Sequence, residues 1–414
     1  MQAVIAIPEI VARAGEQKAK ELLMQKICGV PLLIRTQVTA ARAGANHILL
    51  IFPEGFSTEF IQECTRRALQ YGVCIKAVCV SDFDPQASSS WTRLNSELQI
   101  EDEFLWVPWN WVTNKQFLTS LPLVSKLSVD WNSPAYLSVH EVDRDVASSA
   151  LPQKSTEGVA VTSPQSAAAA ERFLIARSGK VLDGIHTSFN RRLCRPFVRL
   201  LSHSSITPNQ VTFAGVIVSV LSAIAFARGT YLQSVLGAVI FFVAGLFDEV
   251  DGMLARVKFM ESPWGTWLEG FADGLSYLLL FGGITIGLQR HYGRLAVVMG
   301  VALLVGAILA LIITSVGRRR ATSPDRPNEY LGRFYHLLEK DSANWISRSV
   351  RQVQAFQKRG VMIHYVLIFT LIGALPLVFV LATLGAHLTW ILSLYFNRRF
   401  FSGKANTNAL REAL

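Results

Sequence analysis

Long apolar runs occupy only the second part of the chain. No run long enough to cross a bilayer occurs before residue 160, whereas from Val211 onward apolar segments recur with short polar breaks. A transmembrane helix needs about 20 predominantly apolar residues. Six segments approach that length, at residues 209–227, 232–256, 264–288, 295–317, 359–374 and 376–397. We therefore predict an all-α membrane domain of six transmembrane helices over residues 206–400, with a tail at 401–414.

Short apolar strands alternate with amphipathic helices earlier in the chain. The pattern predicts strands at residues 3–7, 47–52 and 74–80, and helices at residues 18–25 and 59–71. Strand–helix–strand alternation favours a parallel sheet. We therefore predict a soluble α/β domain over residues 1–150. Residues 151–170 are rich in Ser, Ala, Thr and Pro, and we interpret them as a linker.

The segment 171–205 is predicted to form juxtamembrane amphipathic helices. Apolar side chains recur there at helical spacing, and basic side chains lie elsewhere on the helix. The apolar set is Ile185, Phe189, Leu193, Phe197 and Leu200, and the basic set is Arg192, Arg195 and Arg199. Such a helix can lie in the membrane interface with its arginines at lipid phosphates. Packing of the apolar face against the soluble domain is the alternative.

The formal net charge is +10, and the basic excess lies beside the predicted spans. It comprises Arg191, Arg192, Arg195 and Arg199 before the first span, Arg318, Arg319 and Arg320 after the fourth, and Arg398, Arg399 and Lys404 after the last. Basic residues in these places report orientation and contact with anionic lipid rather than nucleic-acid binding. We predict a multi-pass protein of the inner (cytoplasmic) membrane, with its termini and α/β domain in the cytosol.

Two consecutive spans carry paired acids near their predicted cytosolic ends. Asp248 and Asp251 are three residues apart, and Glu269 and Asp273 are four apart, so each pair shares a helix face. The loop between the two spans is short, so the spans are antiparallel neighbours. The four carboxylates are therefore expected to converge at one depth.

Four carboxylates in an apolar bundle cannot all remain ionised and uncompensated, because each carries a large desolvation cost. Hard divalent cations such as Mg²⁺ or Mn²⁺ would neutralise them, and two such ions form a clamp suited to phosphoryl chemistry. Gly252 and Gly265 leave room for a nucleotide near the backbone, and Arg256 can meet phosphate oxygens. Acids that only solvate helix ends, or that mark the path of a transporter, are the alternatives.

The acids belong to a longer pattern that resembles the signature of the CDP-alcohol phosphotransferase family. It reads Asp248-x2-Asp251-Gly252-x2-Ala255-Arg256-x8-Gly265-x3-Glu269-x3-Asp273, with Glu269 where the family has its third Asp. The segment Thr207-Pro208-Asn209 resembles the family's sequence before the first span, although such a triplet is also an ordinary helix start. The resemblance covers about residues 171–400.

The resemblance implies roles for these residues. The four acids would bind two divalent ions, and Asp273 would be the general base. Gly252, Ala255, Arg256 and Gly265 would line the CDP site, with Thr207, Pro208 and Asn209 as further candidates. The implied reaction transfers a substituted phosphate from a CDP-linked donor, CDP-diacylglycerol or a CDP-polyol, to an alcohol acceptor in membrane lipid or solution. A homodimer is implied too, and an impaired scaffold or regulatory pseudoenzyme is the alternative.

The first domain resembles a sugar-phosphate nucleotidyltransferase over the predicted elements at 3–7, 18–25 and 47–52 and the segment 29–33. The whole layout is similar to fusions that make CDP-inositol in the first domain and consume it in the second. Residues 8–15 contain a single Gly where that family has a Gly-rich loop for triphosphate. A metal-binding Asp is also missing after residues 104–107. We predict a degenerate domain, with a bifunctional cytidylyltransferase/transferase as the alternative.

Overall fold

The computed structural model describes residues 1–13, 15–98, 100–124, 130–139, 157–179, 185–321, 329–341, 344–353 and 359–401. The chain divides into two compact units. The first consists of Met1–Ser178 together with Val198–Ser205 and Arg256–Phe259. The second contains Gly179–Phe197, Ile206–Ala255 and the chain from Met260 onward.

The first unit is built on a mostly parallel sheet, as predicted. Its strands are β1 (Gln2–Ala6), β2 (Lys26–Ile27), β3 (Val30–Pro31), β4 (His47–Phe52), β5 (Ile75–Cys79), β6 (Glu103–Trp106), β7 (Trp111–Val112), β8 (Leu123–Val124), β9 (Ala135–Ser138) and β10 (Val159–Ala160). The main sheet has the order β5-β4-β1-β6-β9-β8. Strands β5, β4, β1 and β6 run parallel, and β9 pairs antiparallel to β6.

Helices cover both faces of this sheet. They are α1 (Glu9–Arg13), α2 (Glu16–Leu23), α3 (Leu32–Arg42), α4 (Thr58–Leu69), α5 (Ser88–Leu98), α6 (Lys115–Thr119) and α7 (Pro164–Arg177). Neighbouring residues of each strand face two separate cores. In β1, Ile5 lies in one core and Val4 in the other, and in β4 the same holds for Leu50 and Leu49. Burial on both faces explains the nearly continuous apolar strands of the sequence.

The second half of the predicted linker is folded. Strand β10 lies within residues 157–170, and helix α7 begins there and continues to Arg177. Ala170 of α7 is fully buried in the core of the first unit. Ser163 caps α7 through a capping box with Ser166, and Pro164 occupies the first helical turn. The Ala-rich run therefore forms a helix and is not a flexible connection. Residues 151–156 of the predicted linker lie outside the described residues.

The rest of the described chain is helical. The helices are α8 (Ile185–Ser202), α9 (Pro208–Ala227), α10 (Tyr231–Lys258), α11 (Pro263–Tyr292), α12 (Arg294–Ala321), α13 (Glu329–Lys340), α14 (Trp345–Val353), α15 (Arg359–Leu371) and α16 (Leu375–Phe401). Five helices of the described chain, α9 to α12 and α16, are long and apolar enough to cross a membrane. The protein is therefore a multi-pass membrane protein.

The fifth of the six predicted spans is not confirmed. Helix α15 has 13 residues, which at 1.5 Å per residue gives about 20 Å, well short of a bilayer core of about 30 Å. The helix ends at Leu371, and Gly373 follows with a φ of +76°, a left-handed backbone that terminates it. The part of the chain that the structure describes therefore contains five span-length helices, and the predicted count of six is not confirmed.

Helix α8 exposes four side chains of the predicted apolar stripe, and the side chain of Ile185, the fifth, lies outside the described residues. Phe189, Leu193, Phe197 and Leu200 are exposed, while Asn190, Arg191, Cys194 and Val198 are buried. An exposed apolar stripe beside exposed arginines is typical of a helix that lies in a membrane interface.

Small residues bring α9 and α11 into close contact. A Cβ atom at Gly283 would overlap the backbone of Ala223, and one at Gly287 would overlap the backbone oxygen of Phe226. The hydroxyls of Ser219 and Ser276 hydrogen-bond across the same interface at 3.0 Å. Close backbone approach and polar cross-links of this kind hold helices together where lipid provides no hydrophobic drive. This packing fixes α11, which carries two of the predicted site acids.

Candidate active site

The paired acids lie on α10 and α11. Asp251 is 3% exposed and accepts a hydrogen bond from the Thr212 hydroxyl of α9 at 2.5 Å. Asp248 and Glu269 both lie within electrostatic range of the Asp251 carboxylate. Asp273 follows Glu269 by about one turn of α11 and is half-buried. The charges of Asp248 on α10 and Glu269 on α11 thus both act on Asp251.

The chemistry of this donor set fits a divalent ion. The four side chains offer carboxylate oxygens, which Mg²⁺ and Mn²⁺ prefer over nitrogen or sulfur. Asp251 is buried with two further carboxylates in range, so a cation would relieve their mutual repulsion. Across the residues that the structure describes, no three acidic, histidine or cysteine side chains form a compact metal-ligand group.

Two helix starts lie side by side next to the acids. The ideal Cβ of Gly265, near the start of α11, would lie 3.4 Å from Oδ1 of Asn209, near the start of α9. Thr207 caps α9 in a capping box with Gln210, and Pro208 occupies its first turn. Thr207 and Pro208 therefore have a local structural role, whereas the exposed Asn209 faces Gly265.

The remaining predicted residues follow Asp251 on α10. Gly252 and Ala255 are half-buried. Arg256 lies near the end of the helix, and its Nε donates to the backbone oxygen of Ser178. The guanidinium is thus anchored by a carbonyl, a contact that the sequence did not predict.

A polar network on α8, α10 and α15 escaped the sequence prediction. Arg191 donates from Nε to the Glu249 carboxylate at 3.1 Å, and these side chains are 10% and 14% exposed. Asn190, fully buried, donates to the backbone oxygen of Gly360 at 3.1 Å and lies 2.8 Å from Nε2 of His364. Glu249 directly follows Asp248. A third acid between Asp248 and Asp251, inside a predicted span, was the available signal.

Replacing Arg191 with Met is expected to destabilise the protein by about 3 kcal/mol, because it removes the cation beside a largely buried carboxylate. Thermal unfolding in detergent measures the loss. Arg192→Met, on the exposed side of α8, is the matched control and should leave the midpoint unchanged. The double variant Arg191→Met with Glu249→Leu should recover much of the loss, since both charges are then gone. Equal midpoints for Arg191→Met and Arg192→Met would contradict this assignment.

Gly265→Ala is expected to raise the KM for a CDP-linked donor about tenfold, equivalent to about 1.4 kcal/mol of binding. The added methyl would lie 3.1 Å from Oγ of Ser262 and 3.4 Å from Oδ1 of Asn209, filling the space between the two helix starts. Gly270→Ala on the same helix is the matched control, since a Cβ there meets nothing within 4 Å. Steady-state kinetics that show equal KM values for both variants would remove Gly265 from the nucleotide site.

Comparison with known proteins identifies this part of the chain. Residues 205–395, which include every predicted site acid, match the family described as CDP-alcohol phosphatidyltransferase. Residues 205–395 are a CDP-alcohol phosphatidyltransferase domain. The resemblance carried by the acid signature is therefore confirmed. Members of this family generally depend on divalent metal ions, in keeping with the oxygen donors of the CDP-alcohol phosphatidyltransferase domain.

Two relatives match the chain over different lengths. Archaetidylinositol phosphate synthase of Pyrococcus horikoshii is 34% identical over 90 residues, which cover 22% of this chain and 46% of the relative. The bifunctional IPC transferase and DIPP synthase of Aquifex aeolicus is 23% identical over 237 residues, which cover 57% of this chain and 49% of the relative. The chain thus spans about half the length of the curated relatives it matches. The second match bears out the similarity to the bifunctional layout.

Proposed function

We propose that the protein transfers a substituted phosphate from a CDP-linked donor to an alcohol and releases CMP. The observation that carries this proposal is the convergence of Asp248, Asp251 and Glu269 on α10 and α11 within the matched domain. Two divalent ions, Mg²⁺ or Mn²⁺, are proposed to be held by these three acids and Asp273. When bound, the ions would neutralise charge on the donor's pyrophosphate.

The proposed reaction uses the protein's own groups for orientation and proton transfer. Asn209 and the backbone at Gly265 orient the nucleotide, and Arg256 contributes positive charge at the phosphates. Asp273 accepts the proton of the acceptor hydroxyl while that oxygen bonds to the distal phosphorus. The bond from the distal phosphorus to the bridging oxygen breaks, and CMP leaves with the bond electrons. Positioning and charge stabilisation supply most of the gain in such displacements.

Two donor–acceptor pairings fit the proposal. One is CDP-diacylglycerol with a soluble polyol phosphate, and the other is CDP-inositol with a phosphoinositol or a lipid alcohol. The name of the Pyrococcus relative, archaetidylinositol phosphate synthase, makes an inositol phosphate the first acceptor to test. Glu269 keeps the carboxylate that the family signature has at this position, so we propose a working site rather than an impaired one.

The proposal is tested with purified full-length protein in detergent. A panel of CDP-linked lipids and CDP-polyols is combined with polyol phosphates and lipid alcohols, with Mg²⁺ or Mn²⁺ present, and CMP is measured. At least one pairing should release CMP only when both substrates are present. CMP at background across the whole panel would favour a membrane scaffold, and ion flux in liposomes without CMP would favour a transporter.

We further propose that the acids face the cytosol in the inner membrane and that the protein is a homodimer. Basic side chains that flank the helices support the orientation: Arg192 and Arg195 on α8 are exposed, and Arg398 and Arg399 lie near the end of α16. The side chains of residues 318–320 and Lys404, predicted to contribute, lie outside the described residues. The homodimer rests on the family resemblance.

The α/β domain is proposed not to use CTP. Helix α1 starts three residues after β1, where a Gly-rich loop would bind triphosphate, and the carboxylate of Glu9 accepts from Arg13 and from the backbone of Asp82. An acidic side chain at this helix start opposes a polyphosphate. Full-length protein with CTP and sugar or polyol phosphates should therefore release no pyrophosphate. Metal-dependent pyrophosphate release would contradict this and make the protein bifunctional.

A further inference from the structure

The loop between α10 and α11 adopts a backbone that needs external support. Helix α10 ends at Lys258, and Phe259 follows it with a φ of +58°. Few residues with a side chain adopt this left-handed region, and they keep it only where the surroundings hold it. Arg256–Phe259 belong to the same compact unit as Met1–Ser178. The contacts within that unit therefore identify what holds the loop.

Arg35 of α3 binds the last turn of α10. Its Nη2 donates to the backbone oxygen of Val257 at 2.8 Å and to that of Ile27 at 2.7 Å. The last carbonyls of a helix lack partners within the helix and carry partial negative charge, so a cation stabilises them. Arg35 is 1% exposed, and burial lowers its pKa to about 10, which leaves it charged at neutral pH. Any shift of Val257 would leave this buried charge poorly compensated.

Arg42, about two turns after Arg35 on α3, holds Phe259 itself. Its Nη2 donates to the Phe259 backbone oxygen at 3.0 Å. The Cζ atoms of Arg35 and Arg42 lie 4.9 and 4.8 Å from the centroid of the Phe259 ring, within the range of cation–π contacts. Tyr71 meets the same ring edge-on, with centroids 6.3 Å apart. Ring and carbonyl of Phe259 are therefore both fixed by the α/β domain.

The end of α10 bears directly on the proposed chemistry. Arg256 lies three residues before Phe259, and Asp251 lies five residues before Arg256 on the same continuous helix. A helix transmits axial position and rotation along its length, since each residue is fixed to its neighbours at 1.5 Å per residue. Fixing the backbone at Val257 and Phe259 therefore fixes the position of the Arg256 backbone and the direction in which its side chain leaves the helix.

We propose that the α/β domain serves the transferase as a positioning clamp, in which Arg35 and Arg42 hold Phe259 and the end of α10 so that Arg256 meets the donor's phosphates. The clamp rests on the proposed transferase function. Arg35 and Arg42 are positioning residues that act through the loop. The domain thereby keeps a role in the phosphotransfer reaction without turning over a nucleotide of its own.

The test compares Phe259→Leu, which removes the ring but keeps an apolar side chain, with Phe259→Tyr, which keeps the ring. Full-length protein is assayed for CMP release at varied donor and varied acceptor, and hydrogen exchange is followed at the amides of residues 256–262. Phe259→Leu should raise the donor KM about tenfold with an unchanged acceptor KM, because Arg256 would contact the donor's phosphates less well; a tenfold change corresponds to about 1.4 kcal/mol of binding. Hydrogen exchange at the amides of residues 256–262 should become faster. Phe259→Tyr should behave as the parent protein.

Further variants keep the test decisive. Arg35→Met should show the same kinetic shift more strongly, and the Phe259 pair carries the test if this buried change prevents folding. Arg66→Met, an exposed arginine on α4, is the control and should change neither readout. Faster exchange in Phe259→Leu with unchanged kinetics would overturn the positioning role, and unchanged exchange would overturn the clamp. An inactive parent protein would refute the proposed function instead, while the exchange data would still decide whether the clamp exists.

Discussion

Replacing Asp251 with Asn is expected to reduce CMP release by about 100-fold or more, the scale of losing one preorganised electrostatic contact. Asn removes the negative charge but nearly preserves the volume. Its side-chain oxygen can still accept the hydrogen bond that the Thr212 hydroxyl donates to Asp251 at 2.5 Å. The fold should therefore persist while the affinity for Mg²⁺ or Mn²⁺ falls. Enzyme assay and metal titration by calorimetry measure the two effects.

Thr212→Val is the matched control for Asp251. It removes the hydroxyl that binds the carboxylate but leaves the charge in place, so the loss of CMP release should be much smaller. Unchanged metal affinity in Asp251→Asn would show that this carboxylate does not bind the ion. Equal losses in both variants would assign Asp251 a structural role through its hydrogen bond.

Asp273→Asn is expected to lower the turnover number by about 100-fold to 10,000-fold, the usual contribution of a positioned general base. Asn cannot accept the proton of the acceptor hydroxyl at neutral pH. Donor binding should change less than turnover, because the change affects the proton transfer step. Asp273 is half-buried on α11, so an amide of equal size should fit without repacking.

Glu261→Gln is the control for Asp273→Asn. Glu261 is an exposed residue before α11, and this substitution also replaces a carboxylate by an amide. Turnover and donor KM should both stay at the parent values. A loss confined to donor KM in Asp273→Asn, with turnover unchanged, would reassign Asp273 from proton transfer to binding.

Local pattern predicts part of the α/β domain, namely strands β1, β4 and β5 and helices α2 and α4. Strand β4 runs from His47 to Phe52, as its apolar run between polar breaks predicted. Helix α1 has five residues, too few for a helical period to show, so the sequence left it unassigned. The start of the helix at Pro164 falls within the predicted linker, because a composition rich in Ser, Ala, Thr and Pro is typical of linkers and does not reveal the capping box at Ser163. The limit of α15 depends on the left-handed Gly373, which hydropathy does not report.

Spacing predicts that Asp248 shares a helix face with Asp251 and Glu269 with Asp273, because a face of a helix is a local property. Their role as a site stays a prediction. The contacts between helices were not predictable in this way. Thr212 reaches Asp251 across 39 positions, and Arg191 reaches Glu249 across 58. Arg35 reaches Val257 across 222 positions. Such pairs follow from how the elements pack, and a single sequence carries no periodic signal for them.

The protein is proposed to catalyse attack of an alcohol on the distal phosphorus of a CDP-linked donor. This proposal is tested most directly by following two radiolabelled forms of one active donor through a single turnover. With the label on the phosphate next to cytidine, all converted label should appear in CMP. With the label on the distal phosphate, it should appear in the phosphodiester product in equal amount. Distal label that remains with the nucleotide, as CDP, or that appears as free phosphate without product, would contradict the account.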